Sequence, residues 1–412
     1  MKSILNKAPL FILCALALSP LFFFKPALQS ALLIACSAVL IFTAPLKWSF
    51  PQKKEWPFIA CFAILSFYFL LYFSNKSFKL IGDSFLLFIV PLFSKYLYTQ
   101  PYYLKNKNKI LIIYVLSVAL LCLCVIIFFI ADAPRHKYNW YLARYDLEHA
   151  VEMHGTYACL WVATAIIFLA HLVVSSSVIK TAYKLYAVMA FLLYLSVLLI
   201  YNSRNIMIGL FIIASIQLIR KRRYISKSLK IGFVLFAAIV FIISGRYITD
   251  LLALFNDSLY TSTRYIITSC SLQTIYDAHF MGIDHSLIQD KLTACYDSDD
   301  PDSFGKFIYN SHNQYLDFFL KGGIIMFIAF ITLIFVKIKY TLKQKHYLYF
   351  SITILFAISL LTENVLIRQY GIYIYSFCDI LLLGAVFSKS HTNNKVIDSQ
   401  GGDKQGAAIT HA

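Results

Sequence analysis

Three side chains, spread over more than a hundred positions, are the best suited to chemistry on a charged or hydroxylated substrate: Arg204, Arg264 and His312. Arg204 lies in NSRNIMIGL, at the edge of an apolar run. An arginine there costs a few kcal/mol unless it meets an anion or snorkels to lipid phosphate, and both readings stand on spacing alone. Arg264 lies in DSLYTSTRYIITSCSLQTIYDAH, which has neither Gly nor Pro. Tyr260, Ile267 and Cys270, with Leu259 and Ile266 beside them, suit an amphipathic helix lying against a membrane. Its guanidinium is a permanent planar cation matching phosphate oxygens, or else a solvated surface charge. His312 sits in NSHNQYLDFFLKGG, where Asn310 or Ser311 can cap a helix and Gly322–Gly323 can end or kink it. That spacing predicts His312 in the first turn, where the helix dipole disfavours imidazolium and leaves a neutral ring able to take a proton. A packed, hydrogen-bonded histidine is the plainer alternative, and His154 in MHGTYACL has the same two readings.

Metal-ligating patterns are weak. His279 and His285 have aspartates nearby but no known zinc spacing, and the run DSDDPDS lacks the glycine and closing glutamate of a calcium loop. No metal and no cofactor is expected. Seven of nine cysteines fall in apolar runs and behave as small hydrophobes. Cys270 and Cys295 share the long polar segment and would form a disulfide there if it faces an oxidising compartment.

What must position these groups is a membrane. Hydrophobic residues make up 60% of 412 and charged residues only 14%, which excludes an ordinary soluble domain. With no period-2 alternation for a barrel, each span is expected to be a helix, giving an all-α polytopic fold. About twelve candidates of bilayer length fall near 8–24, 27–44, 57–73, 80–97, 110–130, 154–174, 184–201, 203–219, 231–245, 322–338, 347–363 and 370–387. With the N-terminus inside, 24 of the 37 Lys and Arg residues fall on the inner side, and every inner loop is basic. These include RKRRYISKSLK and the 337–345 loop with Lys337, Lys339, Lys343 and Lys345. Both termini are then cytoplasmic, and residues 388–412 read as a disordered tail. Two longer loops fall outside: 131–153, and 245–321 with its amphipathic helices. No nucleotide-binding glycine loop, repeat or second soluble domain appears across the single integral-membrane domain, 1–412. ATP and nucleic acid are therefore not expected as partners.

An arginine at the outer start of a span (NSRNIMIGL), an arginine opening a helix in the large outer loop (TRYIITSCSLQTI), and a histidine–asparagine motif before a glycine-kinked span (SHNQYLDFFLKGGIIMF) stand in that order. In order and topology the chain resembles the O-antigen ligase family, within the superfamily it shares with O-antigen polymerases. HGTY also looks like a motif of some members. MGIDHS departs from the pattern, since Asp284 stands where many relatives have the second glycine of a G-x-G turn.

The resemblance implies a metal-independent glycosyltransferase of the bacterial inner membrane, with its active site facing the periplasm. Such enzymes move a glycan from undecaprenyl diphosphate to an acceptor, in ligases a lipid A-core sugar, during lipopolysaccharide biosynthesis. Polymerases of O-antigen or exopolysaccharide repeats and protein-glycosylating ligases are the near alternatives. A polysaccharide transporter or flippase is disfavoured, because span interiors are nearly free of charge, Asp379 apart. The roles expected from the residues agree. Arg204 and Arg264 would stabilise the departing diphosphate, and His312 would accept or orient the acceptor hydroxyl. Arg246, Lys321, Asn313, His154 and Tyr157 are the expected substrate-binding residues.

Overall fold

A computed structural model describes residues 8–22, 94–98, 100–137, 139–151, 153–175, 181–220, 263–299 and 309–401, with isolated positions between 28 and 67. Among these every regular element is helical, as the apolar composition requires. The helices are α1 (Ala8–Leu18), α2 (Pro101–Asp132), α3 (Trp140–Val151), α4 (Gly155–Ser175), α5 (Thr181–Tyr201), α6 (Arg204–Arg220), α7 (Thr263–Asp277), α8 (His285–Asp299), α9 (Gln314–Lys343), α10 (Tyr347–Ser359) and α11 (Gln369–Gly401). Short 3-10 turns sit at Ser19–Phe22, Ala133–His136 and Val365–Ile367.

Five described helices are long and apolar enough to cross a membrane: Tyr102–His136, Gly155–Val174, Lys184–Tyr201, Gln314–Lys343 and Gln369–Val386. Five is the number among the described residues, over which the full set of twelve expected spans is not represented. The spans expected at 27–44, 57–73, 80–97 and 231–245 lie wholly or largely outside the described residues. Where the two can be compared, element type agrees and boundaries shift. The span expected at 110–130 begins at Pro101, giving a helix about 48 Å long, more than a bilayer's hydrocarbon thickness. The span expected at 347–363 stops at Ser359, so that 360–368 is a turn and not membrane helix. α11 runs on to Gly401, past the start of the tail read as disordered; no Gly or Pro interrupts the chain between Gly384 and Gly401.

In lipid, apolar side chains gain nothing by leaving water, so helices adhere through close packing and interhelical hydrogen bonds. The buried aromatic residues supply both. Tyr98 and Tyr103 donate to Leu381 O at 2.9 and 2.7 Å, and Trp161 Nε1 donates to Tyr370 O at 3.4 Å. Tyr194 donates to Val115 O at 2.5 Å, and Ser117 Oγ to Ala17 O at 2.7 Å. α11, buried along nearly its whole membrane length, accepts most of these and is the central post.

A second, smaller core lies outside the main bundle. Ile266, Ile267 and Cys270 of α7 pack with Ile288, Leu292 and Tyr296 of α8 and with Leu320 of α9. The apolar face of the Arg264 helix therefore covers protein, not a membrane surface as its amphipathicity suggested. A disulfide joins Cys270 to Cys295, holding α7 against α8 across 25 residues of chain.

Candidate active site

The site forms where two turns are sewn together. One is Asn310–Gln314, leading into α9; the other is Leu360–Leu366, between α10 and α11. Gln314 N donates to Leu360 O at 2.9 Å, and Leu366 N donates to Gln314 Oε1 at 2.7 Å. Asn364 Nδ2 donates to Ser311 Oγ at 3.1 Å. Asn313, not Asn310 or Ser311, is the helix cap: its Oδ1 accepts from Tyr315 N at 2.9 Å and Leu316 N at 3.2 Å. His312 consequently precedes the cap and does not lie in the first turn. Its backbone is left-handed, φ 42°, and its N–H donates to Asn310 Oδ1 at 2.9 Å. The Asx turn, which Asn and Asp side chains make readily, carries His312 out of the helix and toward the facing turn.

What His312 meets there is Glu363, the only acidic residue between Asp317 and Asp379. His312 Nδ1 lies 3.3 Å from Glu363 Oε2. A carboxylate only accepts, so Nδ1 carries a proton toward it, and in the neutral ring Nε2 is the acceptor. Arg264 reaches the same carboxylate, with Nη2 3.5 Å from Oε1, and donates from Nη1 to Thr362 O at 2.9 Å. Burial alone would raise the Glu363 carboxyl; the His312 hydrogen bond and charge, with the charges of His154 and Arg264, outweigh it and hold it below the ordinary glutamate range. Glu363 is 8% exposed, whereas the Arg264 side chain is 52% exposed and its outer face is available to an anion.

Arg204 opens α6 after a left-handed Asn202, φ 50°. α6 runs antiparallel to α10: Gln217 Nε2 donates to Ser351 Oγ at 3.1 Å, and Gly209 faces Leu355 and Ile358. Carried back five residues, about 7.5 Å of helix, this register brings Arg204 level with the turn that holds Glu363. The HGTY stretch borders the same place. Tyr157 donates to Asn364 O at 3.5 Å, and His154, exposed at the start of α4, lies 4.0 Å from Glu148. A Cβ on Gly155 would sit 2.6 Å from the Tyr201 ring and 2.8 Å from Glu148 Oε1, which explains a glycine there.

Lys321 is turned inward. Its Nζ lies 2.6 Å from Asp317 Oδ2, itself bonded by Gln314 Nε2 at 2.9 Å, and the lysine side chain is 7% exposed. It fastens the first two turns of α9 and is not offered to a substrate, as the sequence had suggested. Asn313 is likewise occupied as a cap. Arg246 lies outside the described residues.

The turn between α7 and α8 is held against α9 by close glycine contacts. α9 breaks at Gly322 (φ −129°, ψ 15°) and Gly323 (φ 64°, ψ −162°), the kink expected of the pair. Into the break fits the 280–283 turn: Ile283 N donates to Leu320 O at 2.8 Å and Ile324 N to Phe280 O at 2.9 Å. A Cβ on Gly282 (φ 86°) would lie 2.7 Å from Gly323 N, and one on Gly323 2.5 Å from Phe280 O. The turn in MGIDHS thus uses its single glycine for contact, while Asp284 caps α8, accepting Ser286 N at 2.9 Å. The hydrogen bonds from Ser286 hold the Asp284 carboxyl below its usual range. His285 beside it is pushed down by burial and by Lys321.

Arg264 and His312, 48 positions apart, are therefore brought to one carboxylate, with His154 and Tyr157 close enough to feel its charge. Glu363 was not singled out from the sequence because it sits at the end of an apolar run read as a span. Its signal was isolation, one acid in some sixty residues. No curated protein matches the sequence. The family model described as O-antigen ligase matches residues 189–331, a stretch that contains Arg204, Arg264 and His312, so this part of the chain is similar to the O-antigen ligase family.

Proposed function

We propose that the chain is an O-antigen ligase-type glycosyltransferase. It takes a glycan from undecaprenyl diphosphate at the periplasmic face of the inner membrane and passes it to a lipid A-core sugar. The family match supports membrane-bound, lipid-linked polysaccharide chemistry of the ligase and polymerase kind. The carrying observation is the shared carboxylate, with His312 at 3.3 Å and Arg264 at 3.5 Å.

In this reading the acceptor hydroxyl attacks the anomeric carbon as its bond to the diphosphate oxygen breaks. The hydroxyl proton goes to His312 Nε2, and the bonding pair leaves with the lipid diphosphate. Arg264 and Arg204 meet the charge growing there, which supplies electrostatic stabilisation where it is needed. Glu363 fixes the imidazole tautomer and stabilises the imidazolium that forms, as a carboxylate does behind any histidine base. Acceptor choice separates this reading from its neighbours. Deletion of a ligase leaves polymer on undecaprenyl diphosphate, whereas deletion of a polymerase leaves single repeats on the core.

Membranes loaded with lipid-linked glycan and acceptor give the direct test. His312→Ala is expected to lose transfer by about 10² to 10⁴, the usual worth of a positioned base. Arg264→Ala and Arg204→Ala should also abolish it at unchanged expression. Wild-type turnover in His312→Ala would remove the base.

A further inference from the structure

A cluster in the 131–153 segment takes no part in this scheme. Asp132 ends α2, His136 ends the following 3-10 turn, and Asp146 projects from α3. Asp132 and His136 are four residues apart, so the helical turn stacks them on one face. His136 Nε2 lies 3.2 Å from Asp132 Oδ2 and 2.8 Å from Asp146 Oδ2. All three atoms lie within 4.8 Å of one another.

Both contacts fall within ion-pair distance, yet neither is a hydrogen bond. Asp132 is 5% exposed, and both its Oδ2 and His136 Nε2 are buried without a hydrogen bond. At 2.8 Å from Asp146 Oδ2, a ring nitrogen fails to bond only if the oxygen lies well off its N–H axis. Arg135 Nη1 occupies the other Asp132 oxygen, Oδ1, at 3.3 Å, which leaves Oδ2 facing the cluster. Off-axis oxygens around an imidazole nitrogen are what metal coordination produces. With bonds of 2.0–2.1 Å, ligand atoms of a tetrahedral site stand about 3.3 Å apart, each off the others' lone-pair axes.

We propose that Asp132, His136 and Asp146 bind a divalent transition-metal ion, Zn²⁺ fitting best, with the fourth position open. One imidazole and two carboxylates suit Zn²⁺ or Mn²⁺, and three ligands are too few for Ca²⁺. The ion is structural. It ties the end of α2 to α3, the helix whose Arg144 donates to Tyr201 O at 3.2 Å and pairs with Glu148 at 3.3 Å. Glu148 in turn borders Gly155 and His154, so the ion steadies one wall of the candidate site without entering the transfer step.

The test uses the full-length protein in detergent, stripped with a chelator and titrated with Zn²⁺, then Mn²⁺. Zn²⁺ is expected to bind at one ion per chain and raise the melting temperature by several degrees, as any ligand specific to the folded state does. Co²⁺ in its place should show the intense visible bands of a tetrahedral site. Asp146→Asn, half exposed and nearly isosteric, should lose both signals and keep the melting temperature of the stripped protein. Absence of binding by either ion, or the same shift and spectrum in Asp146→Asn and His136→Ala, would leave an imidazolium ion pair only and overturn the proposal.

Discussion

Glu363 decides most at the scale of single residues. It touches no substrate in the proposed reaction, yet it is the group through which His312 and Arg264 meet. Glu363→Gln keeps the shape and removes the charge, so the imidazolium loses its counter-charge and the tautomer its preference. We expect transfer to fall by about 10² or more, with KM for the lipid-linked donor nearly unchanged, as measured in loaded membranes. An equal loss in binding alone would make Glu363 a structural residue. The pH dependence has a fixed sign. A carboxyl depressed in the folded state stabilises fully above the unfolded value, near 4.5, and loses that contribution as pH falls through the folded one. The melting-temperature difference between wild type and Glu363→Gln should accordingly be flat above pH 4.5 and shrink below it. Arg204, Arg264 and His312 stood out as candidates because each lies beside an apolar run in a chain with only 14% charged residues. Their partner did not, since LLTENV reads as the end of a span until the turn is seen to fold back on Asn310–Gln314. The fate of Lys321 was legible and overlooked: Asp317 stands four residues before it, the spacing at which a helix pairs opposite charges.

Helices and turns were partly readable, and where they were not the reason is long-range contact. Gly322–Gly323 announced a kink in sequence, but nothing local said that the kink exists to receive the 280–283 turn. Nor could amphipathicity tell a helix lying on lipid from one lying on protein, so the buried face of α7 was assigned to the wrong neighbour. The same contact makes a prediction. Gly323→Ala would put a methyl 2.5 Å from Phe280 O at a φ of 64°, which L residues adopt at a cost of about 1–3 kcal/mol. The bonds Ile283 N to Leu320 O and Ile324 N to Phe280 O should open, and the α7–α8 pair carrying Arg264 should come loose. Hydrogen exchange at Ile283 and Ile324 should quicken by about tenfold or more, and transfer should drop with it. The Cys270–Cys295 link should keep α7 and α8 together as they part from α9. Unchanged exchange at those amides would show that the turn does not depend on the glycine.

For the molecule as a whole, charge counting treated Lys337 as part of a basic inner loop, whereas α9 continues through it to Lys343 and buries it to 1% exposure. Its ammonium bonds Asp379 Oδ2 and donates to Tyr375 OH at 2.6 Å, while Tyr349 OH donates to Asp379 Oδ1 at 2.8 Å. Three helices, α9, α10 and α11, are thus pinned at one point inside the apolar core. Asp379, which stood out in sequence as a lone charge in a span, is half of a pair whose other half was hidden by its basic neighbours. A satisfied pair of this kind contributes little net stability over apolar side chains of equal size, because desolvation offsets the attraction. Breaking it is different, since the remaining charge stays buried. Lys337→Met alone should destabilise by about 3–5 kcal/mol, and Asp379→Leu alone by a similar amount. The double replacement should recover most of the loss, leaving only the Tyr349 and Tyr375 hydroxyls short of a partner. Thermal unfolding of the four proteins in one detergent gives the coupling directly. Strict additivity of the two single losses would mean that the helices are held by packing alone and that the pair is incidental.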